Sequence, residues 1–215
     1  MLRRRVAILI SGRGSNMVSL IEAARAPDCP AEIALVLSNR PDAAGLERAR
    51  EAGIATCVID HKAHPTREDF EQAVDATLAS HGISFICLAG FMRVLTDWFV
   101  ERWAGKMVNI HPSLLPLYRG THTHRRALED GVLLHGCTVH FVVPELDAGP
   151  IIAQAAVPVV PGDTEESLAA RVIVQEHRLY PQALRMVCDG SARLENGRVV
   201  FARGWDASGA LLSPG

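Results

Sequence analysis

Aromatic side chains make up only 5% of this 215-residue sequence, and its acidic and basic residues nearly cancel, leaving a net charge of −2. That balance excludes the general basic field that draws nucleic acid or a membrane surface, so any anion has to be gripped locally. The shortage of aromatics beside 48% hydrophobic residues describes an ordinary aliphatic core. Cysteine is sparse too: Cys29, Cys57, Cys87, Cys137 and Cys188 are scattered, odd in number and free of Cys-x-x-Cys spacing. This excludes a disulfide framework and a cysteine-based structural zinc site, and leaves reduced core residues. After the basic start Met1-Leu2-Arg3-Arg4-Arg5, the apolar run Val6 to Ile10 is too short for a signal sequence, so the cytoplasm is the expected compartment. No repeat, low-complexity tract or composition shift marks a second domain. Residues 1–206 are expected to form one domain and residues 207–215 a loose tail.

What the chain does have is a repeating β-α rhythm. Short aliphatic runs at 5–11, 32–38, 55–59 and 83–89 predict strands buried on both faces, as in parallel sheets. Between them the apolar spacing predicts helices at 17–26, capped by Ser15 or Asn16, at 43–52, closed by Gly53, and at 68–80. Thr96 caps a further helix to Trp103, and a strand runs from Lys106 to His111. Thr121 or Thr123 is expected to cap a helix ending at Glu129. Gly136 to Val143 alternates like a half-buried strand, and Ile151 to Val159 is its antiparallel partner through a turn at Asp147. Thr164 then caps a long helix to about Asp189, and Asn196-Gly197 signals a closing hairpin. The expected fold is a three-layer α/β domain around a twisted, mostly parallel sheet of about seven strands, with antiparallel pairing near its C-terminal edge.

Three stretches carry chemistry. In Val108-Asn109-Ile110-His111-Pro112 the alternation of a strand sends Asn109 and His111 to one side. Pro112 stops the strand where open α/β sheets present ligands. A carboxylate returning to His111 would hold its tautomer, favour its protonated form and suit it to general acid work. Asp147, in the turn-prone Glu145 to Pro150, is the candidate. Second, Ser11-Gly12-Arg13-Gly14-Ser15-Asn16 links strand to helix as an anion site, without a dinucleotide fingerprint's third glycine or a Walker lysine. Third, Phe91, Met92, Val94 and Leu95 follow a strand end and suit either core or the wall of a pocket for a flat ligand. Arg67 at a helix start, where a cation is disfavoured, suits an anionic ligand or plain solvent. Two other readings stay open on residues alone: a metal-dependent hydrolase using His111, His122, His124 and Asp147, and a non-catalytic nucleotide sensor using the glycine turn.

The order Ile-Ser-Gly-x-Gly-Ser-Asn near residue 10, Leu-Ala-Gly-Phe-Met-Arg at 88–93, Asn-Ile-His-Pro-Ser-Leu-Leu-Pro at 109–116 and Glu-Leu-Asp-x-Gly-Pro at 145–150 resembles the folate-dependent formyltransferase family. The likeness spans residues 5 to 190 or so, and Thr121 to His124 and Gln175-Glu176-His177 narrow it to the branch acting on glycinamide ribonucleotide. The resemblance implies a Rossmann-like formyltransferase domain that moves the formyl group of 10-formyltetrahydrofolate to the glycinamide amine in purine synthesis. It assigns catalysis to Asn109, His111 and Asp147, and the ribonucleotide to Gly14, Ser15, Asn16 and Glu176. It assigns the folate to Arg67, Met92, Arg93, Val94, Leu95 and Asn109, with no metal. Partners would be these small molecules, without nucleic acid or membrane, and the chain would be a monomer or a homodimer. Leu117, Arg119, Thr121 and Ile173 depart from the family pattern in loop and substrate-contact positions.

Overall fold

The computed structural model describes residues 3–202, so the expected loose tail at 207–215 lies outside the described residues. Its centre is a seven-stranded sheet in the order β3-β2-β1-β4-β5-β6-β7. The strands are β1 (Arg4–Ile10), β2 (Ala31–Ser38), β3 (Thr56–Val58), β4 (Phe85–Leu88), β5 (Met107–His111), β6 (Leu134–Phe141) and β7 (Ile151–Pro158). Neighbours from β3 to β5 pair parallel, while β5–β6 and β6–β7 are antiparallel. This is the expected sheet.

Helices cover both faces. Alternation in β1 sends Val6, Ile8 and Ile10 into one apolar cluster and Ala7 and Leu9 into another. The first cluster is completed by α1 (Ser15–Ala24), α2 (Gly45–Glu51), α5 (Thr123–Glu129) and α6 (Glu165–Cys188); the second by α3 (Arg67–Ser80) and α4 (Asp97–Arg102). In α6 the fully buried Tyr180 donates its hydroxyl to the carbonyls of Leu88 (2.9 Å) and Val108 (3.2 Å), which pins the helix across β4 and β5. A two-stranded hairpin, β8 (Ala192–Glu195) and β9 (Arg198–Phe201), turns through Asn196 and Gly197, both at positive φ as its tight turn requires.

Caps explain several helix starts. Thr96 and Thr164 accept from Phe99 and Ser167 N–H as expected, and Thr164 with Ser167 forms a full capping box. Thr66 caps α3 on Asp69 N–H, so this helix begins at Arg67, and Glu68 and Asp69 offset that unfavourably placed cation. Two expected caps are absent. Gly14 in the left-handed region (φ 70°) precedes α1, and His122 (φ 56°) precedes α5, neither with a side-chain cap. In both, a tight left-handed turn enters the helix directly, so Ser15 and Asn16 lie inside α1 and Thr123 inside α5. The half-buried reading of β6 also fails: His135 through Phe141 are all buried, because β6 lies between β5 and β7 with α6 on one face. On its other side, the backbone of Leu115 donates to Thr138 Oγ1 at 3.0 Å. Among the described residues, no helix is long and apolar enough to cross a membrane.

Candidate active site

A cavity of about 590 Å³ opens beyond the carboxyl ends of β4 and β5. One wall is apolar, with Leu88, Met92, Val94, Leu95, Val143 and Leu146, and Arg93 also lines it. Met92 and Val94 are 72% and 56% exposed, so these side chains are held toward open space and are not core.

At the polar end the β5 alternation acts as expected: Val108 and Ile110 enter the core while Asn109 and His111 reach the cavity. Asp147 arrives from the β6–β7 connection in a left-handed conformation (φ 49°). Its Oδ2 lies 3.4 Å from His111 Nδ1 and accepts the Gly120 N–H at 2.8 Å. His111 Nε2 meets the Tyr118 carbonyl at 2.8 Å. Both ring nitrogens therefore face acceptors, so a hydrogen on either one has a partner. The three residues proposed from sequence do come together.

The sequence reading missed His140, which the antiparallel register places directly opposite Asn109. Its Nδ1 faces the Phe141 carbonyl at 2.9 Å and its Nε2 faces Asn109 Nδ2 at 3.3 Å. Burial pushes its pKa down, against the Phe141 carbonyl and the Asp147 charge, so His140 is neutral at pH 7. With its proton on Nδ1 it accepts from the Asn109 amide through Nε2, which assigns the amide nitrogen of Asn109 to this side. The only sequence signal for it was a polar residue in the β6 alternation.

The glycine turn forms a separate patch. Gly45 N–H donates to the Gly12 carbonyl at 3.0 Å, and a Cβ on Gly45 would lie 2.6 Å from Ile10 Cδ1 and 3.1 Å from the Gly12 carbonyl oxygen, so a larger residue would force Ile10 or the turn to shift. The first helical bond of α1 is Val18 N–H to Gly14 O, which leaves the N–H groups of Ser15, Asn16 and Met17 without partners inside the helix. Asn16 Nδ2 donates to Glu176 Oε2 at 2.6 Å, and burial raises the pKa of that carboxyl against the opposing hydrogen bond. Ser15 also edges a second hollow of about 470 Å³ that holds Arg48 and His177. Ser11 ties this patch to the main cavity, since its N–H donates to Gly90 O (3.1 Å) and its Oγ accepts Met92 N–H (2.8 Å). Gly14, Ser15, Asn16 and Glu176 thus gather as expected, beside the cavity and not in its wall. Arg67 is exposed at the start of α3 and does not line the cavity. His122 and His124 do line it, but among the described residues no group of three or more His, Cys, Asp or Glu is arranged to hold a metal.

His124 Nδ1 lies 3.1 Å from His135 Nε2. Burial, helped by His124, pushes the His135 pKa down to about 4, and burial lowers that of His124 as well. The unfolded chain, with histidine near about 6.5, binds these protons first. Stability from this pair is thus complete above that value and is lost as pH falls toward about 4. The melting temperature should fall over this window by scanning calorimetry and fall less steeply in His135→Gln. An equal slope in both proteins would remove His135 from the acid response.

A seven-stranded α/β sheet with a His–Asp pair and a carboxamide at the carboxyl end of a parallel strand, over an apolar pocket, places this chain among enzymes of the Rossmann-like α/β class. The formyl transferase family matches residues 4–184, and the chain belongs to that family. It is 46% identical over 189 residues to phosphoribosylglycinamide formyltransferase of Escherichia coli, covering 88% of this chain and 89% of that one. It is 50% identical over 202 residues to the human trifunctional purine biosynthetic protein adenosine-3, covering 94% of this chain and 20% of that protein. The chain therefore spans a fifth of the length of that trifunctional relative. Among solved structures, glycinamide ribonucleotide transformylase 1 of Symbiobacterium toebii superposes with a TM-score of 0.89 at 44% identity, covering 93% of this chain and 94% of the other. Phosphoribosylglycinamide formyltransferase of Brucella melitensis gives 0.84 at 54% identity, with 86% and 96% covered.

Proposed function

We propose that the chain transfers the formyl group of 10-formyltetrahydrofolate to the amine of glycinamide ribonucleotide, in the cytoplasm, with residues 1–206 acting as one unit. The observation that carries this reading is the meeting of Asn109, His111 and Asp147 at the polar end of one largely apolar cavity. The flat folate ring suits the wall formed by Met92, Arg93, Val94 and Leu95, and the ribonucleotide phosphate suits the turn at Gly14, Ser15 and Asn16, where the first N–H groups of α1 have no partner inside the helix. Glu176, buried against Asn16, would receive the ribose.

In this mechanism the neutral amine attacks the formyl carbon and the carbonyl oxygen gathers negative charge. Asn109 donates through the amide hydrogen not directed at His140. His111 donates through Nδ1–H, which at 3.4 Å from Asp147 is held more loosely than the roughly 2.8 Å of a strong charge-assisted bond. Donors placed in advance stabilise that oxygen more than they stabilise the ground state. Attack forms the new C–N bond and a tetrahedral intermediate. Asp147 orients His111 and, through water, passes the amine's proton to the folate nitrogen. As the oxyanion collapses to the amide carbonyl, the old C–N bond breaks and the protonated folate nitrogen leaves.

Arg67 would reach a carboxylate of the folate beyond the cavity. Arg67→Ala should raise the Michaelis constant for the folate with little change in kcat, because a remote ion pair contributes uniform binding. An unchanged constant would return Arg67 to plain surface. The acceptor is tested by comparing glycinamide ribonucleotide with glycinamide and with other primary amines. Strong preference for the ribonucleotide is expected, and equal rates with free glycinamide would contradict a phosphate site at the glycine turn.

A further inference from the structure

The two groups paired at the polar end of the cavity share one support. The Tyr118 carbonyl holds His111 Nε2 and the Gly120 N–H holds Asp147 Oδ2, each at 2.8 Å. Arg119, the residue between them, is tied to two other elements. Its carbonyl accepts from Arg126 Nη1 on α5 at 2.7 Å, and its own Nη1 meets Glu145 Oε1 at 2.5 Å, two residues before Asp147. Arg126 also lies over the Tyr118 ring, 5.4 Å from its centroid. Tyr118 (φ 57°) and Asp147 (φ 49°) both take left-handed conformations, which non-glycine residues keep where their surroundings hold them.

We propose that Arg119 is a positioning residue: through Glu145 and Arg126 it fastens segment 118–120 to the turn at 145–147, and so sets the approach of Asp147 to His111. It lies outside the cavity wall and acts through its neighbours. The inference rests on the formyl-transfer reading above. Arg119 and Glu145 side chains are 40% and 73% exposed, and an ion pair that open to solvent adds little to global stability. Its loss should therefore register in turnover and not in folding.

The test measures kcat, both Michaelis constants and the melting temperature for R119A, R119K, R119E, E145R and the exchanged pair R119E/E145R. R119E and E145R should each lower kcat by about tenfold, below the roughly 10²-fold that a misplacement near 1 Å can cost, with Michaelis constants and melting temperature close to the parent's. R119K should keep most of the activity, and the exchanged pair should return to within about threefold of the parent, because the two charges are coupled. Full kcat in both single reversals, or a loss that the exchange does not restore, would overturn the proposal. If R119E does not fold, R119A and R119K decide: a fall in the first with rescue in the second supports it, and equal kcat refutes it. A parent protein without formyl transfer would overturn the functional reading itself, whereas an active parent insensitive to Arg119 overturns only this inference.

Discussion

Replacing His111 with Ala should lower turnover by about 10²-fold or more, and Asn109→Ala should do the same, the scale found when one preorganised oxyanion donor is removed. Each change removes a donor placed before the reaction begins: Asn109 is oriented by His140 at 3.3 Å, and His111 is fixed by Tyr118 and Asp147. The effect should fall on kcat and kcat/KM alike, because the oxygen carries full negative charge only near the transition state. Truncating buried His111 also opens a small cavity, so melting temperatures belong with the kinetics. A folded His111→Ala protein with near-parental turnover would take this residue out of the mechanism, and the same holds for Asn109→Ala.

Asp147→Asn should be at least as damaging, with the loss falling on kcat. Asparagine keeps the shape and can still accept from Gly120 N–H, but it removes the negative charge 3.4 Å from His111 Nδ1. Without that carboxylate the ring loses the acceptor that aims its Nδ1–H, and the route that carries the amine's proton toward the folate nitrogen is cut. His140 does not substitute, since its two ring nitrogens are already engaged by Phe141 and Asn109. Turnover should fall by about 10²-fold or more with a melting temperature close to the parent's. Near-parental turnover in a folded Asp147→Asn protein would take Asp147 out of the mechanism.

Local rules in the chain made the sheet and half of the site legible. The period-2 pattern of β5 placed Asn109 and His111 together, and the turn residues 145–150 announced the hairpin that returns Asp147. What stayed hidden depends on partners distant in sequence. His140 matters because the β5–β6 register sets it opposite Asn109, and nothing in Cys137-Thr138-Val139-His140 states that register. Burial of His135 to Phe141 in β6 likewise comes from its neighbours in the sheet and the α6 cover, whereas its alternation reads as one wet face. The missing caps at α1 and α5 have another cause. Ser and Thr are good caps, but Gly14 and His122 in left-handed turns enter those helices first. For α1 the result supports the phosphate site proposed there, because the first N–H groups of the helix have no side-chain cap.

Direct formyl transfer is tested by following both products at once. The protein is mixed with 10-formyltetrahydrofolate labelled in the formyl carbon and with glycinamide ribonucleotide, and the labelled carbon is traced by NMR. Label is expected to leave the folate and enter the ribonucleotide amide one for one, with no build-up of free formate, and His111→Ala should slow the process by about 10²-fold. Label released as formate at the same rate with or without the ribonucleotide would identify a hydrolase, and would contradict direct transfer through Asn109, His111 and Asp147.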